Sequence, residues 1–208
     1  MAYMTPKKVK IVVTGGPSGG KTTLIEALQR DLAGKVSIVP EAASILYRGG
    51  FPRKSTVAGR IHAQRAICFT QRELEDLVTI ESKTSVIVCD RGSLDSIAYW
   101  PSHEDDFYAS LQTTRALELK RYDWVIHLDT AEELSFDGSN PIRTETHKEA
   151  VELNTMIREA WQGHERRIII PHFSDFLSKM TLARSVIERI MSGEEFTQIS
   201  SFVSNRDA

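Results

Sequence analysis

"KIVVTGGPSGGKTTLIEAL", Lys10 to Leu28, sets a β-branched apolar run against a loop with four glycines, followed by apolar residues at helical spacing. Residues without a Cβ let a backbone bend tightly and bring successive N–H groups round an anion. Gly15, Gly20, Lys21 and Thr22 satisfy G-x-x-x-x-G-K-[ST], the phosphate-binding loop called Walker A. The context agrees with the motif. Val9, Ile11, Val12 and Val13 give the buried strand it needs upstream, and Leu24, Ala27 and Leu28 the helix downstream. Gly15, Gly16, Pro17, Ser18, Gly19, Gly20, Lys21, Thr22 and Thr23 are therefore expected to hold a nucleoside triphosphate, ATP or GTP. The helix is expected to start at Gly20 to Lys21 and to point its positive dipole end at the phosphates. Lys21 would reach the β- and γ-phosphates, and the Thr22 hydroxyl would ligate the accompanying Mg²⁺.

A chain of 208 residues is long enough for one well-buried domain and short for two. A single domain over residues 1–208 is expected, with its core from about 9 to 192 and a tail that carries little pattern and can fray. Twenty-six Lys and Arg against 28 Asp and Glu leave a net charge of −2, so no basic field points to nucleic acid or anionic membrane. A small-molecule partner fits better. Cys68 and Cys89 lie in apolar surroundings without CxxC or zinc-finger spacing and read as buried free thiols of a reducing cytosol. The start, "MAYMTPKKVKIVV", has no signal-peptide apolar region, and no stretch approaches the roughly 20 apolar residues of a membrane span. The expected location is cytoplasmic. The six histidines form no i, i+4 zinc pair and read as ordinary surface or core residues.

Four further apolar runs resemble buried parallel strands: "VSIVP" from Val36, "SVIVCD" from Ser85, "WVIHLD" from Trp124 and "RIIIP" from Arg167. Helical stretches alternate with them, as in an α/β doubly wound sheet, whose strand ends form the site. Val57 to Ser82 reads as one long helix with Ile61, Ile67, Leu74, Leu77 and Val78 inward and "QRELED" on a charged outer side. Thr146 and Glu149 are spaced as a capping box for a helix running to Trp161. Phe176, Met180, Ala183, Ile187 and Ile190 form an apolar stripe on the last helix. "SHEDDF" (Ser102 to Phe107) and "SFDGSNPIRTE" (Ser135 to Glu145) read as loops.

Three places beyond the glycine loop offer chemistry. Asp90 ends a strand, where a carboxylate can hold Mg²⁺, or can instead cap the following "SLDSIAYW" helix. Arg91 follows where motor ATPases carry a second acid, and a guanidinium there favours phosphoryl transfer to a bound acceptor. Glu41 ends the second strand, across the cleft from the γ-phosphate. Its carboxylate could orient or deprotonate an acceptor hydroxyl, or merely favour the first turn of a helix. Arg143 lies in a polar loop that could close over the phosphates, though loop arginines are commonly just solvated. Arg48 and Arg53, around "GGFPR", are candidate acceptor contacts.

Together, "TGGPSGGKTTL", "VPEAASIL", "GGFPR", "QRELE", "CDRGSLDSIAYWP" and "WQGH" (Trp161 to His164) resemble the NadR/TRP-translocation-defect AAA domain family over most of Lys10 to Ile190. The resemblance is closest to its bacterial ATP-binding members. It implies a P-loop kinase-like domain with a five-stranded parallel sheet in the order 2-3-1-4-5, binding ATP or GTP with Mg²⁺. It also maps Lys21 and Thr22 to the phosphate and magnesium groups, Asp90 and Arg91 to a "DR" pair, and Glu41 to the acid after strand two. The leading functional expectation is a phosphotransferase acting on a nucleoside-like or other hydroxyl acceptor. The competing one is a nucleotide-dependent switch with a protein or lipid partner. No N-K-x-D guanine motif supports a Ras-like GTPase.

Overall fold

Five short apolar runs pair in parallel: β1 (Val9–Thr14), β2 (Val36–Val39), β3 (Val86–Asp90), β4 (Trp124–Leu128) and β5 (Arg167–Ile170), in the order β2-β3-β1-β4-β5. The computed structural model describes residues 8–130, 146–173 and 175–206. Burial on both faces explains why these strands read as continuous Val and Ile rather than as alternation. Between and after them come α1 (Lys21–Asp31), α2 (Ala42–Arg48), α3 (Val57–Glu81), a 3₁₀ helix (Ser93–Tyr99), α4 (Glu104–Ser110), α5 (Arg115–Leu119), α6 (His147–Ala160), α7 (Phe176–Met191) and α8 (Phe196–Ser204).

The period-two geometry of β1 divides the core. Ile11 and Val13 face a cluster that holds Leu24 and Leu28 of α1, Leu182 and Val186 of α7, and Ile199 of α8. Val12 faces the opposite cluster, with Ile157 of α6, Trp161 and Leu94 of the 3₁₀ helix, all fully buried. In register, Val13 lies opposite Asp90 of β3 and Ile126 of β4, so the C-terminal ends of the three central strands share one edge. Among the described residues, no helix is long and apolar enough to cross a membrane.

Where the structure departs from the sequence reading, tertiary contacts explain the change. The carboxy-terminal stretch expected to fray forms α8, because Ile199 and Val203 are buried against α7 and β5. "SHEDDF" starts a helix at Glu104, with Phe107 buried on Trp100 in an edge-on ring contact. Phe176, at the start of the α7 stripe, is 46% exposed, as is much of Leu77 on α3. The charged side of α3 is also turned over. Gln71 and Glu75 of "QRELED" are buried, whereas Glu73 and Asp76 are exposed. The capping box at Thr146 and Glu149 forms as its spacing predicts.

Glu75 is buried because cations and donors from elsewhere in the chain meet it there. Its carboxylate accepts from Arg121 Nη2 at 2.9 Å, the Tyr122 hydroxyl at 2.7 Å and Gln71 Nε2 at 3.3 Å, with Lys10 Nζ at 3.4 Å. An amphipathicity argument sees charge and assigns solvent; the buried ion cluster reverses that only through partners distant in sequence. Removing one member of such a cluster leaves the others buried and uncompensated. Glu75→Ala is therefore expected to cost about 3 to 5 kcal/mol in urea denaturation, against less than about 0.5 kcal/mol for Glu73→Ala on the exposed side. Equal midpoints for the two variants would contradict this account of α3.

Candidate functional site

The glycine loop joins β1 to α1 and rests on the end of β4. Gly15 has φ 127°, and a Cβ there would sit 2.0 Å from the Leu128 carbonyl oxygen; at Gly19 the distance to the same oxygen would be 2.7 Å. Gly15 and Gly19 are thus required by backbone-to-backbone approach as well as by bending. Gly20, at φ 92°, precedes the first turn of α1. Lys21 folds back over the loop, its Nζ donating to Gly15 O at 2.7 Å and Gly16 O at 2.6 Å. Burial, and then the Arg91 charge, lower its ammonium to about 7. An anion beside it would oppose both effects. Thr22 is exposed on the same side and lines the adjoining cavity.

Across that cavity stand the ends of β2 and β3. Arg91 has φ 71°, an uncommon left-handed conformation for a residue with a side chain. It is held there by its N–H on Val13 O at 3.0 Å and by Gln71 Nε2 on its carbonyl at 3.2 Å. The guanidinium then reaches two acids, with Nε on Glu41 Oε1 at 2.6 Å and Nη1 on Asp95 Oδ2 at 3.0 Å. Asp95 is itself pinned, its Oδ1 accepting from Thr14 Oγ1 at 2.6 Å and Trp161 Nε1 at 2.7 Å. Gly92 permits this packing, since a Cβ there would meet the Trp161 ring at 2.7 Å.

The carboxylates of Glu41 and Asp90 differ in their surroundings. Burial pushes Glu41 up, but Arg91 and the Ser44 hydroxyl outweigh it and hold the carboxyl below its ordinary range. The Asp90 side chain has no hydrogen bond or salt bridge among the described residues, and burial followed by the Glu41 charge pushes it up to about 6. Neither side chain caps a helix: Glu41 sits at the start of α2 without a capping bond, and the 3₁₀ helix begins after Gly92. An oxygen-only pair of Thr22 hydroxyl and unpaired Asp90 carboxylate suits a hard cation such as Mg²⁺.

Between these walls lies a cavity of about 460 Å³, which Lys21, Thr22, Glu41, Asp90 and Arg91 all line. Arg48 and Arg53 line it as well, the latter over the Tyr47 ring at 5.2 Å. Arg143 lies outside the described residues. A family model described as an AAA domain matches residues 10–175. The chain belongs to this AAA domain family. The match shows the AAA domain and does not extend to the NadR label. Comparison with curated proteins finds no match. Among solved structures, the chain is similar to a deoxyadenosine kinase from M. mycoides with bound dATP, at 13% identity and a TM-score of 0.60, covering 86% of this chain and 99% of that one. The likeness shows a P-loop kinase-like α/β fold, with the strand order the family resemblance implied.

The AAA domain also brings to the site residues that the sequence reading passed over. Asp95 read as an ordinary member of a helix. Its only sequence signal is the i, i+4 spacing from Arg91, and its anchoring by Trp161 could not be read from the sequence. Gln64 of α3 is 7% exposed and lines the cavity, and its side-chain amide has no hydrogen bond among the described residues. On the far side of the glycine loop, Asn154 meets the loop itself, with His127 against its amide oxygen. The loop's seat on β4 makes a simple forecast. Gly15→Ala should lower stability by more than Gly34→Ala, where φ is 76° but a Cβ would touch nothing within 4 Å. The Gly34 change should cost only the left-handed penalty of about 1 to 2 kcal/mol. Chemical denaturation of the two variants tests this, and equal losses would remove the Leu128 contact from the explanation.

Proposed function

We propose that the protein is a Mg²⁺-dependent phosphotransferase that moves the γ-phosphoryl group of ATP or GTP to a hydroxyl of a nucleoside-like small molecule. The observation that carries this reading is the pairing of Arg91 with Glu41 across a cavity from Lys21. A switch that only hydrolyses nucleotide has no need of an ionised carboxylate held on a guanidinium in a pocket of this size.

In this reading the glycine loop and Lys21 receive the β- and γ-phosphates, whose charge replaces the Gly15 and Gly16 carbonyls as the ammonium's partner. Thr22 and Asp90 would hold the cation, which neutralises charge on the phosphate oxygens when bound. Two protein oxygens are few for a resident ion, so it would arrive with the triphosphate. Glu41, kept ionised by Arg91, accepts the acceptor's hydroxyl hydrogen bond and aims the oxygen. Because phosphoryl transfer passes through a loose transition state, positioning matters more here than full deprotonation. Arg91 is fixed on both sides by carboxylates and can meet the migrating charge without reorganising. The nucleoside-like class is supported by Gln64, whose side-chain amide lines the cavity and offers one acceptor and two donors to a planar polar edge. Ile67 and Tyr99 add apolar and aromatic lining. Arg143, in the polar stretch before α6, is the proposed further cation for the transferred phosphoryl group.

Two measurements separate the parts. Lys21→Ala should raise the ATP dissociation constant strongly while the thermal midpoint changes little. Asp90→Asn should leave metal-free ATP binding near the parent but lower Mg²⁺-dependent turnover. Mg²⁺ titrations that overlay the parent's would return Asp90 to a structural part.

The kinase reading itself is tested by an acceptor screen with ATP or GTP, Mg²⁺ and product mass detection. With an acceptor in hand, Glu41→Gln should keep nucleotide affinity and lose about 10²- to 10⁴-fold in transfer rate. A broad nucleoside and hydroxyl-compound panel without phosphorylated product would favour a regulatory nucleotide binder.

A further inference from the structure

The wall of the glycine loop away from the cavity carries a polar cluster that the proposed reaction does not use. Asn154 of α6, buried to nine-tenths, accepts the Gly16 N–H on Oδ1 at 2.9 Å. Its Nδ2 donates to Asp129 Oδ1 at 2.9 Å, and His127 Nε2 lies 2.9 Å from its Oδ1. The orientation of the amide follows from chemistry. Hydrogen bonds from His127 and Asn154 outweigh burial and hold the Asp129 carboxyl below its usual range, so it can only accept. The NH₂ end of Asn154 must therefore face Asp129, and Oδ1 must face Gly16 and His127. That in turn makes Nε2 the protonated nitrogen of His127. Asp129 is held from behind by Arg158 Nη1 at 3.5 Å and, through its carbonyl, by Lys179 Nζ at 2.5 Å.

Gly16 is thus gripped at both ends. Asn154 takes its N–H, and Lys21 Nζ donates to its carbonyl at 2.6 Å. There is no slack between loop and helix, since a Cβ at Gly16 would come within 2.7 Å of Asn154 Cβ and 3.0 Å of Ala150 O. The peptides on either side of Gly16 set the direction of the loop that follows and the resting place of Lys21. We infer that Asn154 is a positioning residue for triphosphate binding, fixing the Gly16 peptide and with it the course of the glycine loop, with Asp129 and His127 locking its amide. The inference rests on the nucleotide-binding part of the proposed function and touches neither the acceptor nor the transfer step.

Isothermal titration of ATP with Mg²⁺ into the full chain tests it. Asn154→Leu, of similar size but without hydrogen-bonding groups, leaves the Gly16 N–H buried and unpaired. The ATP dissociation constant should rise by about 5- to 10-fold, the cost of ordering a loop that the ligand must then fix itself. Asn154→Ala, which leaves room for a water to take the N–H, should show a smaller rise of about 3-fold or more. A merely structural role would reduce the number of binding-competent molecules, and so the stoichiometry, while the dissociation constant stayed put. Unchanged dissociation constants in both variants, beside a parent that binds, would overturn this inference alone. A parent that binds no triphosphate would overturn the nucleotide reading and this inference with it. If Asn154→Leu fails to fold, the Asn154→Ala titration decides.

Discussion

The Arg91 guanidinium, shared between Glu41 and Asp95, ties three separate stretches of the chain into one wall. Glu41 comes from the end of β2, Arg91 from just beyond β3, and Asp95 from the 3₁₀ helix that follows. Without this cation, the buried Asp95 carboxylate and the half-buried Glu41 carboxylate would face each other and Asp90, and like charges so placed favour protonation. Reaching both acids requires the left-handed turn at Arg91, a conformation that costs roughly 1–3 kcal/mol. Its backbone hydrogen bonds to Val13 and Gln71, together with the Gly92 contact with Trp161, sustain it. The core under β3 therefore determines where a charged side chain points.

Charge in the pocket is arranged as an incomplete pairing. Glu41 and Asp95 share the single positive charge of Arg91, while Lys21 rests on carbonyl oxygens and the Asp90 carboxylate has no ion pair among the described residues. The two groups left without a counter-ion are both shifted toward their neutral forms, Lys21 down to about 7 and Asp90 up to about 6. Simple burial of two opposite charges would be relieved by a salt bridge between them, and none forms. A ligand with its own anion and cation relieves both at once, the anion at Lys21 and the cation at Asp90. In the proposed function that ligand is a triphosphate carried in with its divalent ion.

Much of this was legible in the sequence because it depends on local pattern. The five strands, their helices and the glycine loop follow from β-branched runs, helical spacing and a motif with a mechanical reason for each glycine. Glu41, Asp90 and Arg91 could be picked out because strand ends in an open parallel sheet face the ligand crevice. What escaped was whatever depends on partners far apart in the chain. Glu75 and Gln71 look solvent-facing until Arg121 and Tyr122 arrive beside them. Asp95 looks like a helix residue until Trp161, 66 positions later, donates to it. The tail α8 has too short a pattern to announce itself, and its burial comes from α7 and β5.

The same distinction bears on how the glycine loop is set up. Its sequence specifies flexibility, yet a flexible loop would have to be ordered by each incoming triphosphate at an entropic cost. The structure removes that freedom through residues that the motif does not contain. Leu128 presses on Gly15 and Gly19 through its carbonyl, and Asn154 holds Gly16 by its N–H. The glycines permit the close approach, while β4 and α6 supply the surface approached. A phosphate-loop motif transplanted without that surface would keep its hydrogen-bond donors and lose their fixed direction, and preorganised donors bind more tightly than mobile ones. In this chain the residues that make the loop adaptable in sequence are the ones that allow it to be held still in the fold.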